Sequence, residues 1–328
     1  MKEPLYRQAF SFGWQFTRRH KFLWVYGFFA AALGHMGIFD ILTKVSTAVF
    51  RANMAIPEVT VFLRLPILHG GRWVDFFSER GVDGVWAIWL VIVLLGILAF
   101  FTVVAVVSQG ALIHASAQGK SSHDIAQDYR EWHAGVSHFW RLFVLHATKK
   151  CMIGFFALLA GWSAYTAVLS PTASNLLAFL GIFLVVTILG LILSFFVIYA
   201  AGYIVVEEHS FGEAIISAWR LFTSHWLTSL EVGALFLGLN ILLALFGTLG
   251  FLVLLLPTAL FWFIVVIIGS PTLFTVVLMF LLFCFVTFVM LLGSVFTVFS
   301  TSVWTYLFMH MHRYGVKSSI LHWFSLRG

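Results

Sequence analysis

The sequence predicts an all-α, polytopic transmembrane helical bundle. Hydrophobic residues make up 61% of the 328 residues, and the mean hydropathy is +1.01. Charged residues make up only 10%, whereas a soluble globular chain carries about 25%. Long apolar runs alternate with short polar segments along the chain. Because the bilayer core offers no water to the backbone, such runs are expected to form helices.

The first predicted element is an amphipathic helix on the membrane surface, over residues 5–19. Its apolar side chains recur at helical spacing, with a polar face between them. The basic cluster Arg18-Arg19-His20-Lys21 ends it and predicts a cytoplasmic N-terminus. Residues 22–42 form the first predicted span, long enough to cross the hydrocarbon core.

A polar loop and a second span follow. Residues 44–84 carry nearly balanced charges, which favours the outer side of the membrane. The second span covers residues 85–107, and its helix is expected to continue through Ala117. Residues 118–150 are net basic and therefore predicted to be cytoplasmic. A second surface helix is predicted from apolar residues at helical spacing, namely Val136, Phe139, Trp140, Phe143 and Val144.

The remaining spans are predicted from apolar runs with clear interruptions. Residues 151–169 and 176–206 form the third and fourth spans, and the outer turn between them contains Pro171. Glu207-Glu208 ends the fourth span. The third surface helix, the fifth span and the last apolar run cover residues 211–224, 226–246 and 271–306, respectively.

These elements predict about six spans in one integral membrane domain, residues 1–328. The domain is divided into three units, each a cytoplasmic amphipathic helix followed by two spans. Their bounds are about 1–117, 118–206 and 207–312, with a cytoplasmic tail at 313–328. Residues 247–270 are interrupted by glycine and proline; they form either an outer hairpin or an extra span, so that seven or eight spans remain open. Six spans place both termini in the cytoplasm, with the chain in the inner (plasma) membrane.

The first and third units align as an internal repeat. Five pairs of residues match when the surface helices are superposed, namely Ala9/Ala214, Gly13/Ala218, Trp14/Trp219, Phe16/Leu221 and His20/His225. The middle unit, around Trp132-His133-Ala134-Gly135, keeps the same plan without a clean register. These are parallel repeats, because all three surface helices are predicted on one side of the membrane.

Three short motifs stand at the ends of the predicted spans. They are Val206-Glu207-Glu208-His209-Ser210-Phe211-Gly212-Glu213-Ala214, His20-Lys21-Phe22-Leu23-Trp24-Val25-Tyr26-Gly27 and Phe299-Ser300-Thr301-Ser302-Val303-Trp304-Thr305. Together they resemble a prokaryotic family that includes the membrane domain attached to glycerophosphoryl diester phosphodiesterases. The catalytic barrel of those enzymes has no counterpart in this chain. The resemblance therefore implies a six-span type of bundle, and not hydrolase activity.

Two polar residues within the fifth span are candidates for an intramembrane site. Glu231 lies about five residues inside the span, where a charge is costly and a functional role is a default hypothesis. Its alternative is a pairing with Arg220 near the interface. Asn240 lies deeper, and a hydrogen bond between helices is the simplest interpretation.

The last helix carries a polar stripe. Ser294, Thr297, Thr301 and Thr305 follow one another at intervals of three, four and four residues and therefore share one face. The stripe is either a close-packing seam between helices or the lining of a path for a polar solute.

No cofactor or metal is predicted. The two cysteines, Cys151 and Cys284, lie in apolar segments and lack ligand spacing. Phosphate loops, nucleophile elbows and carboxylate pairs do not occur in the sequence.

The sequence therefore favours a non-enzymatic integral membrane protein. It would act as a scaffold or accessory subunit of a membrane assembly, or as a lipid-interacting factor. Its expected partners are membrane lipids and, in the subunit interpretation, other membrane proteins; a net charge of +6 spread over helix ends does not favour nucleic acid. The alternative is a transporter or permease for a lipid-like or small solute.

Overall fold

The computed structural model describes residues 5–34, 82–119, 125–268 and 271–314. Eight helices make up almost all of these residues, and no strand occurs among them. The helices are α1 Leu5–Arg19, α2 Leu23–Gly34, α3 Val82–Gln118, α4 Ile125–Ser137, α5 Phe139–Leu169, α6 Ala173–Val206, α7 Phe211–Ile268 and α8 Pro271–Tyr314.

The all-helical, multi-pass membrane fold is confirmed. Five of the described helices contain a segment long and apolar enough to cross a membrane; the segments are Ile88–Gln118, Phe139–Leu169, Ala173–Val206, Phe211–Phe263 and Met279–Arg313. The predicted first span begins as α2, and its residues 35–42 lie outside the described residues. The same holds for residues 44–81 of the predicted outer loop and for 315–328 of the predicted tail.

The predicted second surface helix is misplaced. The described helix before the third span is α4, which ends at Ser137. Phe139 and the apolar residues after it instead begin α5, which continues without interruption to Leu169. The apolar residues do recur at helical spacing, but they lie in the first turns of the long helix α5. One side of these turns packs on the bundle, and Trp140 on the other side is 73% exposed.

Residues 247–268 do not form an outer hairpin. They continue α7 as one helix, and Pro257 lies within it. Proline and glycine are tolerated in membrane helices because neighbouring residues satisfy the freed backbone groups. Gly250 allows this part of α7 to lie close to Phe288 of α8.

Helix α8 is the centre of the packing. It contacts α1, α2, α3, α6 and α7. Small residues allow the closest approaches, since a side chain on Gly13 would overlap Val303 of α8 and one on Gly27 would meet the backbone of Ser294. Aromatic contacts add to the core, as between Phe236 of α7 and Trp304 of α8, whose ring centroids are 5.3 Å apart.

The turn from α6 to α7 is held by polar contacts at both ends. Ser210 caps α7 through a reciprocal arrangement. Its backbone N–H and its Oγ donate to Glu213 Oε2, at 3.0 and 2.8 Å, and the backbone N–H of Glu213 donates to Ser210 Oγ at 3.5 Å. Glu208 adopts a left-handed conformation, with φ 55°. Arg141 of α5 donates to the carbonyls of Glu208 and His209, at 3.1 and 3.2 Å, which fixes this turn against α5.

Three breaks in the helical path share one local structure. A histidine lies at each break: His20 follows α1, His138 separates α4 from α5, and His225 has non-helical dihedral angles inside α7. In each case Nδ1 lies within hydrogen-bond distance of the carbonyl oxygen four residues earlier; the partners are Phe16, Ala134 and Leu221, at 3.1, 2.7 and 3.4 Å.

A tryptophan precedes each of these histidines by six residues. Trp14, Trp132 and Trp219 are all exposed, with exposed fractions of 54, 36 and 55%. The predicted residue pairs around them also match in burial, since Ala9 and Ala214 are both 0% exposed and Phe16 and Leu221 are 5 and 7% exposed. The pattern Trp-x5-His is visible in the sequence and gives the middle unit a register that the sequence interpretation lacked.

Buried residues concentrate at one end of the bundle. We call this end the inner region; it comprises residues 5–34, 105–119, 125–150, 193–236 and 293–314. Apart from Ser163 and Ala167, every described residue that is buried lies in it. The other described residues form the outer region, in which most large apolar side chains are exposed.

Candidate functional site

A cavity of about 240 Å³ lies in the inner region, between helices α3, α5, α6 and α8. Its lining is half polar, which is unusual for a membrane bundle. The polar lining residues are Gln109, His146, Lys149, Ser194, Thr297, Ser300, Thr301 and Thr305. Polar side chains in a membrane protein are expensive and generally mark a site.

Helix α5 contributes His146 and Lys149. The two residues are three positions apart and therefore lie on one face of the helix, one turn from each other. His146 is buried, with only 5% of its surface exposed. Lys149 is half-buried, whereas its neighbour Lys150 is exposed.

Helix α8 contributes four hydroxyl groups. Thr297, Thr301 and Thr305 follow one another at intervals of four residues, with Ser300 beside them. Thr297 Oγ1 donates to the carbonyl of Gly293 in its own helix, at 2.9 Å. The hydroxyls of Ser300, Thr301 and Thr305 make no hydrogen bond with any described residue and so remain available to a ligand.

Helices α3 and α6 complete the polar lining with Gln109 and Ser194. Ser194 Oγ donates to the carbonyl of Gly190 at 2.9 Å, so that it offers only its lone pairs to the cavity. Two buried atoms of the lining, Gln109 Oε1 and His146 Nε2, have no hydrogen-bond partner among the described residues. Each such group costs about 1–3 kcal/mol when left unsatisfied. Both residues belong to the lining, which therefore carries polar atoms that the described residues do not satisfy.

The charged group in the described lining of the cavity is the basic side chain of Lys149. Among the described residues that line it none is acidic, and Lys149 forms no ion pair with a described carboxylate. The remaining wall is apolar and includes Trp304, Phe308 and Val197. The cavity thus combines a positively charged, hydrogen-bonding part with an apolar part, an arrangement suited to an amphiphilic molecule.

One part of the predicted Ser/Thr stripe packs against a neighbouring helix, and the other part lines the cavity. Ser294 is buried against α2 and donates from Oγ to the carbonyl of Trp24, as a packing seam would. Thr297, Thr301 and Thr305 line the cavity. The same helical face therefore serves both purposes at different depths.

The two predicted residues of the fifth span do not join this site. Glu231 is half-buried on α7 and is absent from the cavity lining. Asn240 Nδ2 donates to the carbonyl of Phe236 in its own helix, at 2.8 Å, so the expected hydrogen bond between helices is not the one formed. Neither residue lines the cavity with the threonines of the Ser/Thr stripe.

Sequence reasoning missed the lining residues that lie outside α8. In the sequence, Lys149 and His146 belong to the net basic segment 118–150, which is predicted to be cytoplasmic. Their spacing of three residues was a usable signal, since it places both on one face. Gln109 offered a second signal in the sequence, because it is a polar amide next to Ser108 in the helix that continues from the second span.

Among the described residues, no group of three or more His, Cys, Asp or Glu side chains is arranged to hold a metal ion. His146 is the histidine that lines the cavity. The chemistry of the lining therefore supports binding through hydrogen bonds and charge.

The fold and the cavity define the chain as a multi-pass, all-helical membrane protein with a partly polar cavity in its packed end. No protein-family model, curated protein or solved structure significantly matches the chain. The resemblance to the membrane domain of glycerophosphoryl diester phosphodiesterases therefore stays a prediction.

Proposed function

We propose that this chain is a non-enzymatic membrane protein that binds the polar head of a membrane lipid or lipid-like molecule. The cavity between α3, α5, α6 and α8, with its unsatisfied polar atoms and its apolar wall, is the observation that carries the proposal. The non-enzymatic part rests on the sequence, which lacks recognisable catalytic patterns.

The position of the cavity along the helices supports a lipid head. On each helix the polar lining residue lies just inside the point where the surface becomes exposed and apolar. Beyond the cavity the first exposed large apolar residues are Val103, Met152, Leu191 and Leu291, with exposed fractions of 44, 40, 51 and 55%. Lipid heads meet the hydrocarbon at such a transition.

The length of the exposed segments agrees with this placement. The exposed apolar part of α5, from Met152 to Leu169, rises about 27 Å at 1.5 Å per residue. The hydrocarbon core is about 30 Å thick. The exposed part of α5 therefore matches the thickness of the bilayer core, which supports a position of the inner region, with its cavity, at the level of one leaflet's heads.

The proposal includes the cytoplasmic location of the inner region and the three-unit architecture. Arg18, Arg19, Lys149 and Lys150 all lie in the inner region, as the positive-inside rule expects for the cytoplasmic side of the plasma membrane. The three Trp-x5-His breaks support three related units, because each combines an exposed tryptophan with a histidine at the helix break. Exposed tryptophans are typical of membrane interfaces.

Filling the cavity tests the lipid-binding proposal. The full chain with Thr301→Phe is compared with Thr248→Phe, which changes an exposed threonine of α7 in the outer region. Native mass spectrometry after extraction in a mild detergent measures the lipid that each protein retains. We expect Thr301→Phe to reduce the retained lipid at least about fivefold, since the added ring occupies a cavity of limited size. Equal lipid retention in both variants and the unaltered chain would contradict the proposal.

Transport of a lipid-like or small solute is the second candidate, favoured by the three threonines that line the cavity from one helix. Flux of a fluorescent-head lipid in proteoliposomes measures it, with the Thr301→Phe chain as the test and Thr248→Phe as the control. If the unaltered chain retains lipid but shows no flux, transport is rejected and the lipid-binding proposal stands. If Glu231→Gln leaves a measurable flux unchanged, Glu231 does not belong to the path.

An accessory-subunit role is compatible with lipid binding. Co-purification in mild detergent, followed by identification of the associated proteins, tests it directly. A chain that elutes alone, with lipid but without protein partners, would argue against the subunit role.

A further inference from the structure

We infer that the molecule bound in the cavity carries a phosphate group, and that Lys149 is its counter-charge. This inference rests on the proposed function and adds the chemical class of the ligand to it. The observation behind it is the juxtaposition, in one cavity, of an ammonium group and three hydroxyl groups, none of which has an acidic or hydrogen-bonding partner among the described residues.

The charge of Lys149 requires compensation. The residue lies three positions before Met152, where the surface of α5 becomes lipid-exposed, and it is itself half-buried. A charge withdrawn from water is costly unless an opposite charge or several hydrogen bonds accompany it. No described carboxylate forms an ion pair with Lys149 and none lines the cavity, so a bound anion is the available compensation.

The hydroxyl groups favour an anion with several oxygens. Ser300, Thr301 and Thr305 can each donate one hydrogen bond into the cavity, because none of them donates to a described residue. Thr297 and Ser194 cannot add to this number, since both already donate to their own helices. Three hydroxyl donors and one ammonium match the oxygens of a phosphate better than the two of a carboxylate.

Gln109 and His146 add donors that the lining can orient. The Gln109 amide carries an N–H₂ group with two donors. A neutral imidazole at His146 carries one N–H, on either ring nitrogen. A cationic ligand, by contrast, would meet Lys149 with no acid in the described lining to oppose it.

Phosphate can reach this site in a lipid head or as a free anion, and the probes separate the two sources. The probes are dioleoylphosphatidylglycerol, dioleoylglycerol with the same tails and no phosphate, and inorganic phosphate. Each is titrated into the full chain in a neutral detergent, and the apparent affinity is measured by thermal shift and native mass spectrometry. The variants are Lys149→Met, which keeps the apolar stem, Lys149→Arg, which keeps the charge, and the exposed neighbour Lys150→Met as the matched control.

We expect the phosphatidylglycerol affinity to fall about tenfold or more in Lys149→Met, since hydrogen bonds to charged groups are the stronger ones. Lys149→Arg should recover most of it, Lys150→Met should change it little, and dioleoylglycerol binding should not respond to Lys149. Protection by inorganic phosphate that also depends on Lys149 supports the phosphate site with a free-anion source. Equal losses in Lys149→Met and Lys150→Met would overturn the inference in favour of general surface attraction.

The same measurements distinguish a wrong phosphate inference from a wrong lipid-binding proposal. If dioleoylglycerol and phosphatidylglycerol bind equally, Lys149→Met affects neither and Thr301→Phe abolishes both, the cavity binds lipid but not through phosphate. If neither lipid shows saturable binding and inorganic phosphate gives no protection, both the inference and the lipid-binding proposal are wrong.

Discussion

The inner and outer regions are made from the same helices and are stabilised in different ways. Helix α3 shows the contrast within one element, because Leu112 in the inner region is 0% exposed and Leu98 in the outer region is 62% exposed. The two leucines are 14 positions apart on a continuous helix. Their difference lies in what surrounds them, protein for one and, in the proposed placement, lipid for the other.

Several glycines of the two regions also differ in how closely a neighbouring helix approaches them. Gly27 and Gly135, in the inner region, lie so close to a neighbouring helix that a side chain would overlap its backbone. Gly96, Gly154 and Gly181, in the outer region, have nothing near the place of a side chain. The inner region thus relies on close helix contact, whereas most of the outer region presents exposed apolar side chains, which in the proposed placement contact lipid. A site that needs fixed geometry is accordingly found in the inner region.

Truncating a core leucine is the change expected to separate the two regions most. Leu112→Ala removes a side chain packed in a cluster with Leu23 and Tyr26 and should lower the free energy of unfolding by about 4 kcal/mol. Leu98→Ala should change it by less than about 0.5 kcal/mol, as for an exposed position. Unfolding of the purified protein in mixed micelles, titrated with a denaturing detergent, measures both. Similar losses at the two positions would show that the outer region is packed against protein.

Introducing a charge tests whether the outer region lies in the hydrocarbon. Leu184→Lys places an ammonium in the middle of the exposed apolar part of α6, where the leucine is 62% exposed. We expect a cost of about 3 kcal/mol, visible as reduced membrane insertion and a lower unfolding midpoint in lipid. Gln15→Lys, at an exposed position of α1, is the control and should be nearly neutral. A tolerated Leu184→Lys would place this surface in water or in a polar interface.

Hydrophobic runs and basic clusters were sufficient to predict most helices, because lipid-exposed and fully apolar segments follow composition closely. Helix breaks were harder to predict. His138 and His225 interrupt the helical path without glycine or proline, whereas Pro257 lies within a helix. The threonines of the site were found because they share a face of one helix. Gln109, Lys149 and Ser194 come from three other helices, and only the tertiary packing brings them to the same cavity.

Overpacking an inner contact is expected to have the smallest of the three effects and the most specific one. Gly135→Leu on α4 would push a side chain into the carbonyl of Val107 on α3, and moving the short helix away should cost about 2 kcal/mol. Gly96→Leu, in the outer part of α3, removes a glycine from a helix where nothing lies nearby and should be neutral or slightly stabilising. The unfolding midpoint in mixed micelles measures both variants.

Because α4 packs on the inner part of α3, which also carries Gln109, the Gly135→Leu chain should in addition retain less lipid than the Gly96→Leu chain. Equal stability and equal lipid retention would show that the contact between α3 and α4 does not support the cavity.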